Sequence, residues 1–120
     1  MDDITRKVAE ETLIFTSERG VFWERTRTLF IADTHWGGTH RTLASLADDL
    51  RRLSALITRF DTQRLIILGD MIDVQGVGEA GILQVISAWR ETYAEIPISL
   101  VRGDQEREAG DPPLDLNIDV

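Results

Sequence analysis

Three short stretches of this chain concentrate residues able to do chemistry. Asp33-Thr34-His35 is the first, Gly69-Asp70 with Asp73 the second, and Gly103-Asp104-Gln105-Glu106 the third. Each follows a continuous apolar run: Thr28–Ala32 (TLFIA), Arg64–Leu68 (RLIIL) and Pro97–Val101 (PISLV). Carboxylates brought close together repel one another and favour their neutral forms, and a divalent cation relieves that repulsion. Carboxylates with one imidazole suit Mn, Fe or Zn better than Ca or Mg. A lone D-x-H or a lone G-D after a strand is ordinary loop chemistry, because Asp caps helices and makes Asx turns. Three such stretches after three successive apolar runs point instead to one edge where Asp33, His35, Asp70, Asp73, Asp104 and Glu106 converge on a divalent cation, with His40 as a replacement ligand or a solvated loop residue.

The elements that would position them can be read from the pattern. The three apolar runs have the composition of parallel strands buried on both faces. Between them, Thr42–Phe60 places Leu43, Leu46, Ala47, Leu50, Leu53, Leu56 and Ile57 at helical spacing, with Asp48, Asp49, Arg51 and Arg52 opposite. Ile82, Val85, Ile86 and Trp89 mark a second amphipathic helix over about Glu79–Tyr93. Strand–helix–strand–helix–strand order predicts parallel strands with right-handed crossovers. Ligands in such sheets bind beyond the carboxyl ends of the strands, where all three acidic stretches fall. Thr12–Ser17 and Val21-Phe22-Trp23, joined through Glu18-Arg19-Gly20, read as a hairpin adding antiparallel strands at one edge. Residues 1–11 read as a polar lead-in, frayed or helical, and Leu114–Val120 as a final edge strand. The expected fold is therefore α/β, a mostly parallel sheet with flanking helices.

Composition narrows the partners. The chain has 120 residues, 42% of them hydrophobic, which suits one globular domain spanning residues 1–120 with a core of its own. With 13 basic against 21 acidic residues its net charge is −8, which argues against a protein that grips nucleic acid mainly by counterion release. An enzyme reaching phosphates through a metal is not excluded, since the metal brings its own charge. There is no Cys, so thiolate zinc sites, cysteine nucleophiles and disulfide scaffolds are ruled out. No apolar run is long enough to span a bilayer, and the charged start MDDITRKVAEE lacks the apolar stretch of a signal peptide, so a cytoplasmic protein with no membrane partner is expected. Neither a phosphate-binding P-loop nor a G-x-S-x-G nucleophile elbow is present.

The order D-x-H, G-D-x-x-D, then G-D-Q-E where a family has G-N-H-[DE], resembles the calcineurin-like metallophosphoesterases. The wording LFIADTHWGG, LIILGDMID and SLVRGDQEREAGDPP is similar to the ligase-associated DNA-damage-response endonucleases of that superfamily, over about Leu13 to Val120. The resemblance implies the first half of an α/β/β/α sandwich holding two metal ions, Mn foremost, that activate water against a phosphodiester or DNA substrate. Asp33 and His35 match its first metal motif and Asp70 its bridging carboxylate. Asp104 stands where the family has a metal-binding Asn. Gln105 and Glu106 occupy the catalytic positions in altered form, Gln105 for the assisting His and Glu106 for the acid that orients it. An amide does not titrate near neutral pH, and general acid help is worth about 10²–10⁴-fold, so turnover is expected to be weak or lost.

Other residues carry two readings. Arg41, Arg102 and Arg107 are phosphate-contact candidates, because a guanidinium holds phosphate bidentately, or they neutralise the neighbouring acids. Trp36 either stacks on a base or covers the open end of the sheet. The resemblance implies a truncated domain: the family's second half, with further metal-binding His residues, is not expected within these 120 residues, and an apolar sheet face is expected to be left open. That predicts self-association or a complementary chain covering the sheet. Three functions follow as alternatives: a metal-dependent phosphoesterase or endonuclease, a non-catalytic metal- or partner-binding relative, and a truncated or engineered fragment with no activity of its own.

Overall fold

A computed structural model describes residues 3–16, 20–32, 34, 36, 42–72 and 81–120, without the side chains of residues 105, 108 and 109. Six strands form one sheet in sequence order: β1 (Ile4–Val8), β2 (Glu11–Phe15), β3 (Gly20–Trp23), β4 (Thr28–Ala32), β5 (Arg64–Leu68) and β6 (Ile98–Val101). Helix α1 (Leu43–Arg59) links β4 to β5 and α2 (Ile82–Thr92) precedes β6. Helix α3 (Asp104–Ala109) and a single 3₁₀ turn (Leu114–Leu116) follow.

The sheet is mixed, which corrects the expectation of a mostly parallel one. β1–β2, β2–β3 and β3–β4 pair antiparallel, while β4–β5 and β5–β6 pair parallel. The difference comes from the N-terminus. Residues expected to be a frayed or helical lead-in form β1, returned onto β2 by Ala9 and Glu10, both at positive φ (50° and 68°). Two left-handed residues in a two-residue loop match the twist of a hairpin, at a steric cost of roughly 1–2 kcal/mol for each residue that is not glycine.

The crossovers explain which face is covered. When parallel strands add in one direction without reversal, right-handed connections lay every helix on the same side. α1 and α2 accordingly pack on one another and on one face of the sheet. Side chains alternate along a strand and paired residues share a face. Ile14, Phe22, Leu29, Leu65 and Ile98 form one cross-strand row, and Ile31, Ile67 and Leu100 a second. Apart from half-buried Ile14, these are buried under Leu46, Leu50, Leu53, Leu56 and Ile57 of α1 and Ile82, Ile86 and Trp89 of α2. Each fully buried aliphatic side chain contributes about 1.5–3 kcal/mol of hydrophobic stabilisation. The intervening row, Ile4, Phe15, Val21, Phe30, Ile66 and Ser99, faces the other way, as do Ala32, Leu68 and Val101. Ile4, Phe15, Leu68 and Val101 are 41–55% exposed there, so among the described residues the helices flank one face only.

α1 begins where the sequence signals it. The Thr42 hydroxyl accepts from the Ser45 backbone N–H, and the Ser45 hydroxyl accepts from that of Thr42, a reciprocal cap. α2 starts after Gly81, whose φ of 94° a side chain would strain. The C-terminal tail is not a full edge strand. After the 3₁₀ turn it meets β6 at one parallel bridge, Asp119 with Ser99. Its hold comes from Arg90 of α2, a buried guanidinium that donates to the carbonyls of Leu116, Tyr93, Ile96 and Asn117.

Candidate active site at the strand ends

β4, β5 and β6 lie side by side and end level with one another: Ala32 pairs with Leu68, and Leu68 with Val101. The chain therefore leaves three parallel strands at one edge, the arrangement the sequence reading requires. Beyond β4, the Thr34 hydroxyl and the Trp36 backbone N–H both donate to the Met71 carbonyl, at 2.6 and 2.9 Å. Trp36 is 2% exposed and packs edge-on against Trp89, with ring centroids 5.7 Å apart. It closes the end of the core, and its ring is not offered to a base.

Past β5, the Gly69 N–H donates to the Val101 carbonyl at 2.7 Å, and the backbone then turns through two left-handed residues, Gly69 (φ 75°) and Asp70 (φ 47°). A short side chain able to bond locally makes Asp one of the few residues that visit this region readily. Past β6, Gly103 lies directly against that turn. A Cβ at position 103 would come within 2.8–2.9 Å of Asp70 Oδ1, Asp70 N and the Gly69 Cα, closer than atoms tolerate. Position 103 must be glycine for the two strand ends to meet.

Glu106 fastens this junction. It is 4% exposed, and its carboxylate accepts from three backbone N–H groups: Oε1 from Asp70 and Gly103, both at 2.8 Å, and Oε2 from Met71 at 3.1 Å. A buried carboxylate is tolerated only when its lone pairs are used, and here the backbone uses them. The bond to Gly103 is also the reach-back of the third helical residue to the residue that caps α3. That Gly-x-x-Glu spacing was the signal in the sequence for this role. The bonds to Asp70 and Met71 had none, since they depend on the parallel pairing of β5 with β6.

Of the site residues expected from the sequence, Asp70, Asp104, Gln105 and Glu106 fall at the ends of β5 and β6, Gln105 by its backbone alone. Asp104 is solvent-exposed at the first position of α3, and Arg107 is exposed in its last turn. Arg102 is engaged by Asp111, Nε to one carboxylate oxygen and Nη2 to the other, both at 2.8 Å. Those bonds hold the Asp111 carboxyl below its ordinary range and raise the Arg102 guanidinium further. Asp33, His35, His40, Arg41 and Asp73 lie outside the described residues. Among the described residues no three Asp, Glu or His side chains stand close enough to share a metal ion. The described donors toward a cation are the carboxylates of Asp70 and Asp104, hard oxygens suited to a divalent ion, with Glu106 committed to the backbone. A shallow groove of about 330 Å³ between α2 and Pro113 is lined by none of these residues. Among the described residues, no helix is long and apolar enough to cross a membrane.

No family model matches the chain, and no curated protein does. Among solved structures, the crystal structure of the Pseudomonas putida nuclease MPE superposes with a TM-score of 0.87 at 29% sequence identity. The match covers 99% of this chain and 58% of the nuclease, so this chain spans less than two thirds of that protein's length. The chain has the fold of that part of a nuclease.

Proposed function

We propose that this chain carries one half of a metal-dependent phosphoesterase site of the calcineurin-like, ligase-associated endonuclease type, acting in the cytoplasm on phosphodiesters of nucleic acid. The observation that carries the reading is the junction of β5 and β6, where Asp70 and Asp104 follow adjacent parallel strands and Glu106 ties together the backbones of Asp70, Met71 and Gly103. The likeness to a nuclease supports the substrate class. Asp70 and Asp104 would hold a divalent cation, Mn²⁺ foremost with Fe or Zn as alternatives, together with Asp33 and His35. When bound, the cation supplies Lewis-acid activation of water and neutralises charge on the phosphate. The chain's own residues set the remaining terms. Asp70 and Asp104 would hold the cation at the sheet edge, and the guanidinium of Arg107, exposed in the last turn of α3, would meet a phosphate oxygen. Gln105 supplies no proton to a leaving group, so turnover is slow.

The test is hydrolysis of bis(p-nitrophenyl) phosphate and of single-stranded DNA with and without Mn²⁺. Weak hydrolysis that requires Mn²⁺ and disappears in Asp70→Asn is expected. Hydrolysis that persists in Asp70→Asn, or that ignores the metal, overturns the reading. A second reading is favoured by Gln105 itself: a non-catalytic relative that binds metal or a partner. It predicts metal binding without turnover. Under either reading, the open face around Phe15, Leu68 and Val101 is the surface for self-association or for a complementary chain, since exposed apolar patches of this kind mark interaction sites.

A further inference from the structure

We propose that Glu106 is a positioning residue that sets the carboxylate of Asp70 by clasping the backbone behind it, and that it is not a metal ligand. The inference rests on the functional reading above for its metal, and on geometry for the clasp. Both Glu106 oxygens are already used by the N–H groups of Asp70, Met71 and Gly103. These donors come from two segments, the turn after β5 and the start of α3, so one carboxylate spans the gap between two strand ends. The turn it holds is the left-handed one at Gly69-Asp70, a conformation that needs its surroundings to maintain it. Gly103 lies directly against the same turn, too close for a Cβ. The Asp70 side chain therefore leaves a backbone bonded to Glu106 and packed against Gly103. A metal ligand held this firmly loses little freedom on binding, and groups that orient ligands typically account for about 10–100-fold in metal affinity.

Glu106→Gln tests this closely. A Gln side chain offers one acceptor oxygen, and its NH₂ meets an N–H donor, so at least one backbone donor is left unpaired. Glu106→Asp keeps both oxygens on a shorter arm and serves as the second variant where Glu106→Gln fails to fold. Amide hydrogen exchange is read by NMR on the metal-free chain at residues 70, 71 and 103, with Leu29 and Ile67 as references. Mn²⁺ affinity is read by calorimetry on the same samples. The clasp predicts that the three amides are protected in the unaltered chain. It predicts that their exchange quickens at least ~10-fold in Glu106→Gln while Leu29 and Ile67 stay unchanged. Mn²⁺ affinity should fall by about 10–100-fold, with a smaller loss in Glu106→Asp. Unprotected amides in the unaltered chain overturn the clasp. Lost protection with unchanged Mn²⁺ affinity overturns the positioning role. Absence of Mn²⁺ binding by the unaltered chain overturns the functional reading, and the clasp then stands or falls on the exchange rates alone.

Discussion

The two faces of the sheet use the same strands to different ends. Leu29, Leu65 and Ile67 on one face are fully enclosed by α1 and α2, whereas Phe15, Leu68 and Val101 on the other are 41–55% exposed. Yet both faces are apolar, and TLFIA, RLIIL and ISLV show no alternation between them. Strands with that composition belong to sheets covered on both sides. The helices on these residues cover one side, because β4, β5 and β6 add without reversal. Strand composition thus records the total burial a sheet is built for, while topology decides how much of it this chain's own helices supply.

The largest expected effect separates the faces directly. Leu65→Ala removes a fully enclosed side chain and should cost about 2–5 kcal/mol in urea unfolding. The paired change Leu68→Thr with Val101→Thr, on the open face, puts β-branched uncharged residues at this cross-strand pair and should alter the stability of the isolated chain by far less, roughly 0.5 kcal/mol, while reducing self-association in sedimentation. An open-face loss equal to that of Leu65→Ala would mean that this face is covered too.

The strand-end edge should respond next. Gly103→Ala forces a Cβ into the Gly69-Asp70 turn and should cost about 1–3 kcal/mol, with weaker metal binding alongside. Alanine at Gly110, where an added Cβ meets nothing within 4 Å, separates this steric clash from backbone strain, since Gly110 sits at φ 104°.

The smallest effect belongs to the rim of the open face. The Glu11 carboxyl is held below its ordinary value of 4.5, first by the Trp23 indole N–H and then by Arg25. A carboxyl lowered on folding stabilises the fold above its ordinary value, and the contribution is lost as pH falls through the folded value. Melting temperatures of the unaltered chain and Glu11→Gln should therefore differ slightly at pH 6 and converge as the pH falls below 4.5 and through the lowered folded value. A difference that grows on acidification would contradict this pairing.

Much of this was legible in the sequence, and the parts that were not share a cause. β4 and β5 fall on the residues of their apolar runs, and α1 lies within the stripe of Leu46, Leu50, Leu53 and Leu56, started by Thr42. These are local signals. β1 escaped because Ile4, Arg6, Lys7 and Val8 mix charge into both faces and the Ala9-Glu10 turn lacks the Gly or Asn that announces such turns. The tail escaped because its anchor is Arg90, distant in sequence, rather than a strand partner along its length. At the site, the placement of Asp70 and Asp104 just past the ends of β5 and β6 followed from strand order. The grip of Glu106 on Asp70 and Met71 did not, since nothing near position 106 in the chain hints at donors 35 and 36 residues away.

Under the proposed function, acids following β4, β5 and β6 hold a divalent cation. Titrating the chain with Mn²⁺ in a calorimeter, with Asp70→Asn as its partner, tests it most directly. Saturable binding is expected, and it disappears in the Asp70→Asn chain while that chain stays folded. Equal heats from the two chains, or none from the unaltered one, would contradict it.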